Sequence, residues 1–217
     1  MRVVVIGDVH MDLGNFAKIP AVGTADTIII SGDITNYGSR TAAKEIITAV
    51  RTVNDRILAL PGNLDEKDVA DYLEEESISL HGRGRLFDNV GIFGVGGSNP
   101  TPFNTPIEYS EKELQLLLEQ GYNQVKTAPH HILVSHTPPL QTKADRISNG
   151  VHVGSKAVRA FIENHQPAFC LCGHIHEARS SDRIGNTRII NSGMIRDGGW
   201  IEVLIDNDTV NASLQTI

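Results

Sequence analysis

The sequence predicts an α/β fold: two mixed β-sheets packed face to face and flanked by helices, as one domain over residues 1–217. Three observations carry that expectation. Short β-branched apolar runs alternate with amphipathic helical patterns in the first third of the chain. The later chain turns β-rich, with hairpin-like pieces punctuated by Gly and Asn. Five of the apolar runs end on Asp, Asn or His, the residue types that gather ligands at the carboxyl ends of strands in α/β folds.

Taken in order, Arg2–Ile6 (RVVVI) and Thr27–Ile30 (TIII) read as buried strands. From Ser39 to about Val53, Ala43, Ile46, Ile47 and Val50 recur at helical spacing, with Ser39 as the N-cap. Arg56–Leu60 (RILAL) is a third strand, and Glu66–Glu76 is helical. Between Ser77 and Gly97 the pieces SISLHG, GRLFDN and VGIFGVGG suggest hairpins. Ser98–Pro106 is a Pro-rich loop, and Ser110-Glu111-Lys112-Glu113 carries the capping-box pattern of a helix reaching about Ala128. Ile132–Val134 is a strand, Thr137–Val153 a long irregular stretch, and Gly154–His165 a helix. Ala168–Leu171 and four further strand-like runs complete the chain.

Composition narrows the function. Nineteen Lys and Arg against 26 Asp and Glu give a net charge of −7, a field unfavourable to non-specific nucleic-acid binding. The longest apolar runs, about five residues, are far shorter than a membrane span of about 20. The N-terminus has no charged region followed by a long apolar run, so no signal peptide is expected. Cys170 and Cys172 sit two apart on a strand, where a disulfide would be strained. They read as small buried residues of a protein kept in a reducing cytoplasm.

The chemistry follows the strands: Gly7-Asp8-Val9-His10, Gly32-Asp33, Gly62-Asn63-Leu64-Asp65, Ser135-His136 and Gly173-His174-Ile175-His176. Glycine precedes the polar residue in four of the five, where a backbone must turn sharply or approach a ligand closely. Two Asp, one Asn and four His form a mixed nitrogen and oxygen set without thiolate. That set suits Mn²⁺, Fe²⁺ or Zn²⁺ in a reactive site rather than a structural zinc. Seven donors are too many for one ion and natural for two that share a bridging carboxylate. Two ions about 3.5–4 Å apart form a clamp for phosphoester hydrolysis.

As a set these motifs, GDVH, GD, GNLD, SH and GHIH, resemble the calcineurin-like metallophosphoesterase superfamily. The stretches GGSNPTPFNTP, SHTPP, HVGSKAVRAFIENHQP and CGHIHEA are similar to its Icc-related predicted phosphoesterases. The resemblance implies the metallophosphoesterase sandwich and two divalent ions, manganese first, with iron, zinc, nickel or cobalt as alternatives. It implies one ion on Asp8, His10, Asp33 and His176 and a second on Asp33, Asn63, His136 and His174. Asp33 would bridge, and Asp65 would orient its neighbours. Asp8, Asp33, Asn63 and His136 are expected to carry catalysis, by attack of metal-bound hydroxide on a small phosphoester, with a diester favoured.

One position departs from the family pattern. The His that follows the Asn, which contacts phosphate and helps protonate the leaving group, is Leu64 here. Leu64 is also the feature favouring the alternative, a non-catalytic or weakly active protein-binding scaffold on the same fold. In the long loop, His152 and Arg146 are candidates to reach over the metals and contact phosphate, with Asn36 and Asn99 behind them. His165, His81, His130 and His131 are expected to be structural or exposed.

Overall fold

A computed structural model describes residues 1–206 and 209–217. In chain order it contains β1 (Arg2–Ile6), β2 (Thr27–Ile30), α1 (Arg40–Arg51), β3 (Ile57–Ala59), α2 (Lys67–Glu75), β4 (Arg83–Phe87), β5 (Val90–Val95) and α3 (Glu111–Asn123). There follow β6 (His130–Ser135), α4 (Lys156–His165), β7 (Phe169–Cys172), β8 (Ser180–Ile184), β9 (Thr187–Asn191), β10 (Gly199–Asp206) and β11 (Thr209–Thr216).

Among the described residues the strands form two mixed sheets, ordered β11-β10-β1-β2-β3 and β4-β5-β6-β7-β9-β8. In the first, β1, β2 and β3 run parallel, and β10 joins β1 antiparallel. In the second, β5, β6, β7 and β9 run parallel, with antiparallel β4 and β8 at the edges.

The two-residue period of a strand divides the core into layers. On β1, Val3 and Val5 point into the space between the sheets, where they meet Ile132 and Val134 of β6 and Leu171 of β7. The alternate residues Val4 and Ile6 pack with Ala43, Ile47 and Val50 of α1 and Leu73 of α2. On the far side, Leu133 of β6 and Cys170 of β7 pack with Leu114 and Leu118 of α3 and Val158 and Ile162 of α4. The architecture is therefore helix, sheet, sheet, helix, and each fully buried Val, Ile or Leu contributes about 1.5–3 kcal/mol. Near-continuous apolar runs such as residues 3–6 of β1 are required because both of their faces are covered.

Some expectations shift at the edges. Ser39 precedes α1 in extended conformation, but its side chain makes no cap hydrogen bond. Ser110 forms the full capping box with Glu113. Helix α3 stops at Asn123, before Ala128, because the following N–H groups bond three residues back, Gln124 to Gly121 and Val125 to Tyr122. SISLHG is not a strand: Ser79 bridges Ala59 and His81 bridges Gly94, so the segment stitches the edge of one sheet to the other.

Candidate metal centre

Each candidate donor follows the carboxyl end of a parallel strand. β1 delivers Asp8 and His10, β2 Asp33, β3 Asn63, β6 His136, and β7 His174 and His176. The first three strands belong to one sheet and the last two to the other. The turns are tight. Asp8, His10, Asp33 and His174 all hold positive φ, from 46° to 68°, a region costly for non-glycine residues and common where function demands it. Glycines make room: a Cβ on Gly62 would lie 2.0 Å from the Asp33 amide nitrogen and carboxylate. Gly32, at φ +114°, would put a Cβ 2.3 Å from Nδ1 of His136.

The donor atoms converge on two points that share Asp33. Donor atoms of Asp8, His10, Asp33 and His176 all lie within 4.8 Å of one another, as do those of Asp33, His136 and His174. Asn63 joins the second group, with Oδ1 3.0 Å from Nε2 of His136. In the first, Nε2 of His10 lies 3.1 Å from Nε2 of His176 and 3.7 Å from Oδ2 of Asp33. Two imidazole nitrogens 3.1 Å apart and two buried carboxylates need a proton or a cation between them. This donor set therefore fits two divalent ions sharing one carboxylate.

Surrounding hydrogen bonds aim the donors. Nδ1 of His136 donates to the Ser31 carbonyl, 3.0 Å away, which leaves Nε2 for the site. The His174 amide donates to both oxygens of Asp8, and the Leu64 amide to Oδ1 of Asp33. Asn63 donates its amide N–H to the Thr105 hydroxyl, and that hydroxyl donates to Glu108, so the Asn63 oxygen points inward. Asp65 is fully buried and accepts from the amides of Ile34, Thr35 and Gly62 and the Thr35 hydroxyl. It clamps the Asp33 turn to the Asn63 turn.

Burial and charge act against each other here. Burial would raise Asp33, but the charge and hydrogen bond of His136, with His10 and the Leu64 N–H, bring it down to about 2. Burial would lower His136, yet Asp33 lifts it to about 9. Burial and the His136 charge hold His174 down to about 4. Burial, then the Asp33 charge, pushes Asp65 up to about 6. Without a cation, the two shifts describe an ionised Asp33 beside a protonated His136, and a bound metal would take the place of that proton.

The centre opens into a cleft of about 820 Å³. Its walls include the Pro-rich loop, with Phe103 78% exposed, then Tyr37, Leu64 and the loop between β6 and α4. His152 and Asn99 line the cleft. Arg146 and Asn36 are exposed and are not part of its lining among the described residues; the Arg146 guanidinium lies beside Gly150 instead. His165 bonds Glu119 and stacks on Phe161, away from the centre. Sequence reasoning missed Thr105 and Tyr37. Thr105 acts through a partner 42 residues away, a pairing no local pattern reveals.

The comparisons agree with this fold. A solved structure from Thermus thermophilus superposes with a TM-score of 0.71 at 16% identity, over 98% of this chain and 97% of that one. The yellow lupin purple acid phosphatase PPD1 gives a TM-score of 0.64 at 11% identity, over 100% of this chain and 51% of that one, and shares the fold. An uncharacterized protein of Methanocaldococcus jannaschii is 40% identical over 201 residues, covering 88% of this chain and 87% of its own. The sequence model for calcineurin-like phosphoesterases matches residues 1–178, a span that holds all seven donors from Asp8 to His176. With donors, fold and relatives in agreement, the chain belongs to the calcineurin-like phosphoesterase family.

Proposed function

We propose that this protein is a metal-dependent phosphoesterase that hydrolyses a small phosphodiester. The observation that carries the reading is Asp33, whose carboxylate belongs to both converging donor groups. Two divalent cations bound there, manganese first on the family resemblance, would supply Lewis acidity toward the phosphoryl oxygens and an acidified water. The chain's own residues do the rest. His136, fixed by Ser31, and Asn63, fixed by Thr105, present donors without rearrangement. Asp8, Asp33, Asn63 and His136 thereby preorganise the charge that stabilises the transition state.

The diester preference rests on Leu64 and the cleft. Leu64 offers neither a charge nor a hydrogen bond to a second anionic phosphate oxygen. The cleft is roomy and largely apolar on the side of Tyr37, Leu64 and Phe103, which suits a phosphorus carrying two organic substituents. The charge of −7 disfavours a nucleic-acid partner. Two free, buried cysteines support a cytoplasmic location. Among the described residues, no helix is long and apolar enough to cross a membrane.

The test is turnover of aryl phosphomonoesters, aryl phosphodiesters and cyclic nucleotides by protein reconstituted with Mn²⁺, Fe²⁺, Co²⁺, Ni²⁺ or Zn²⁺. Diesters are expected to exceed monoesters in kcat/KM, and Asp33→Ala to abolish turnover. No turnover with any metal would overturn the reading and favour the protein-binding scaffold.

A further inference from the structure

Leu64, beside the centre, has no proton to give, yet the cleft that it lines also contains an oriented imidazole. His152 lines the cleft together with Asp33, Asn63, His174 and His176. Its Nδ1 lies 2.7 Å from Oδ1 of Asp145, a carboxylate with no solvent exposure. The His152 side chain is itself 35% exposed. With Nδ1 turned inward to Asp145, Nε2 is the edge of the ring left to face the cleft, and it has no protein partner among the described residues.

The mounting is rigid. Asp145 also accepts from the amides of Gln141, Thr142 and Gly154. The Val153 amide donates to the Asp145 carbonyl, and Asn99 donates to the carbonyl of Val153. Asn191 donates to the carbonyl of Ala144, tying the loop to the end of β9. A His oriented by a buried carboxylate, with its other nitrogen toward a reaction site, is the arrangement used to place a proton.

Resting on the phosphoesterase reading, we propose that His152, positioned by Asp145, is the catalytic acid that protonates the leaving group, a role the apolar Leu64 beside the centre cannot fill. A water oxygen bonds to phosphorus while the bond from phosphorus to the leaving oxygen breaks, and that oxygen keeps the electron pair. The Nε2 proton of imidazolium His152 passes to it. The attacking water gives its proton to solvent, and solvent reprotonates His152. Asp145 keeps a hydrogen bond on Nδ1 throughout and itself transfers nothing.

The experiment compares wild type with His152→Ala and His152→Gln on three diesters: a nitrophenyl ester, an alkyl ester and the alkyl analogue with sulfur in the bridging position. Nitrophenolate and thiolate leave without a proton; an alkoxide does not. The expected result is a loss of about 10²-fold or more in kcat/KM for the alkyl ester and little for the other two. Metal content, measured by elemental analysis, is expected to match wild type. Nitrogen-15 NMR of the neutral His152 ring is expected to show the proton on Nδ1. Equal losses on all three esters, or no loss on any, would overturn the proposal while leaving the phosphoesterase reading intact. So would a neutral ring protonated on Nε2. Wild type inactive on every ester would defeat the phosphoesterase reading and this one with it.

Discussion

The tightest constraint on the centre is the space of a single methyl group. Gly62 packs so closely on Asp33 that a Cβ would fall 2.0 Å from both a backbone and a carboxylate atom. A flexible side-chain tip could swing away; the Asp33 amide nitrogen cannot. Gly62→Ala must therefore displace Asp33, the donor shared by both groups, or split the β3 turn from the β2 turn. Expected are weakened binding of both ions, by at least about tenfold each, equivalent to about 1.4 kcal/mol, and an unchanged far-ultraviolet circular dichroism spectrum. Elemental analysis after dialysis against metal checks it; two tightly held ions in Gly62→Ala would contradict the geometry. These glycines were legible in the sequence because they precede their polar residues so regularly. The left-handed backbone of Asp8, His10, Asp33 and His174 was not, since Asp and His are enriched in that region but adopt it at few of their positions.

At the scale of elements, apolar periodicity located the strands and helices, and one departure carries a consequence. SISLHG alternates like a strand, yet it serves as a stitch between the sheets, and His81 within it acts as a strut. Its Nδ1 accepts from the Gly96 amide, and its Nε2 side donates toward the Tyr109 hydroxyl. The strut thus joins the two ends of the segment that holds the Pro-rich cleft wall. Burial, against a smaller pull from Glu74, holds His81 down to about 4. An unfolded His titrates near 6.5. As pH falls from about 6.5 to about 4, the unfolded chain takes a proton that the folded chain refuses, so stability is lost through that window, by up to about 3 kcal/mol. His81→Gln removes this proton uptake. Urea titrations of metal-free protein across the window should show a shallower acid slope in the variant; parallel slopes would mean that His81 is not held neutral. Sequence showed a histidine at a strand edge, but its burial depends on Tyr109 and Gly96, which only the fold brings to it.

For the whole molecule, the donor set lies across the seam between the sheets. Asp8, His10, Asp33 and Asn63 come from the ends of one sheet's strands, and His136, His174 and His176 from the other's. The apolar interface between the sheets already holds them together. A bound metal would add a further link across the seam, between side chains that otherwise depend on protons to sit together: the His10 and His176 nitrogens face each other, and two carboxylates lie nearby. The order of the five motifs was legible in the sequence, and so was the set of seven candidate donors that the fold gathers. The seam was not, because which strands share a sheet depends on crossovers that no motif encodes. Binding to the folded state alone stabilises by about 2.7 kcal/mol at a free metal concentration 100 times Kd. For a chain of this length that corresponds to a rise in Tm of about 5–10 °C per site. Scanning calorimetry of EDTA-treated protein, then with Mn²⁺ or Zn²⁺ added, should show that rise in wild type and its near disappearance in Asp33→Ala. Because Asp33→Ala also removes a buried charge, its own metal-free Tm is the reference for the comparison. A Tm unmoved by millimolar metal in wild type would mean that the seven side chains, although gathered, do not bind the ions their chemistry fits.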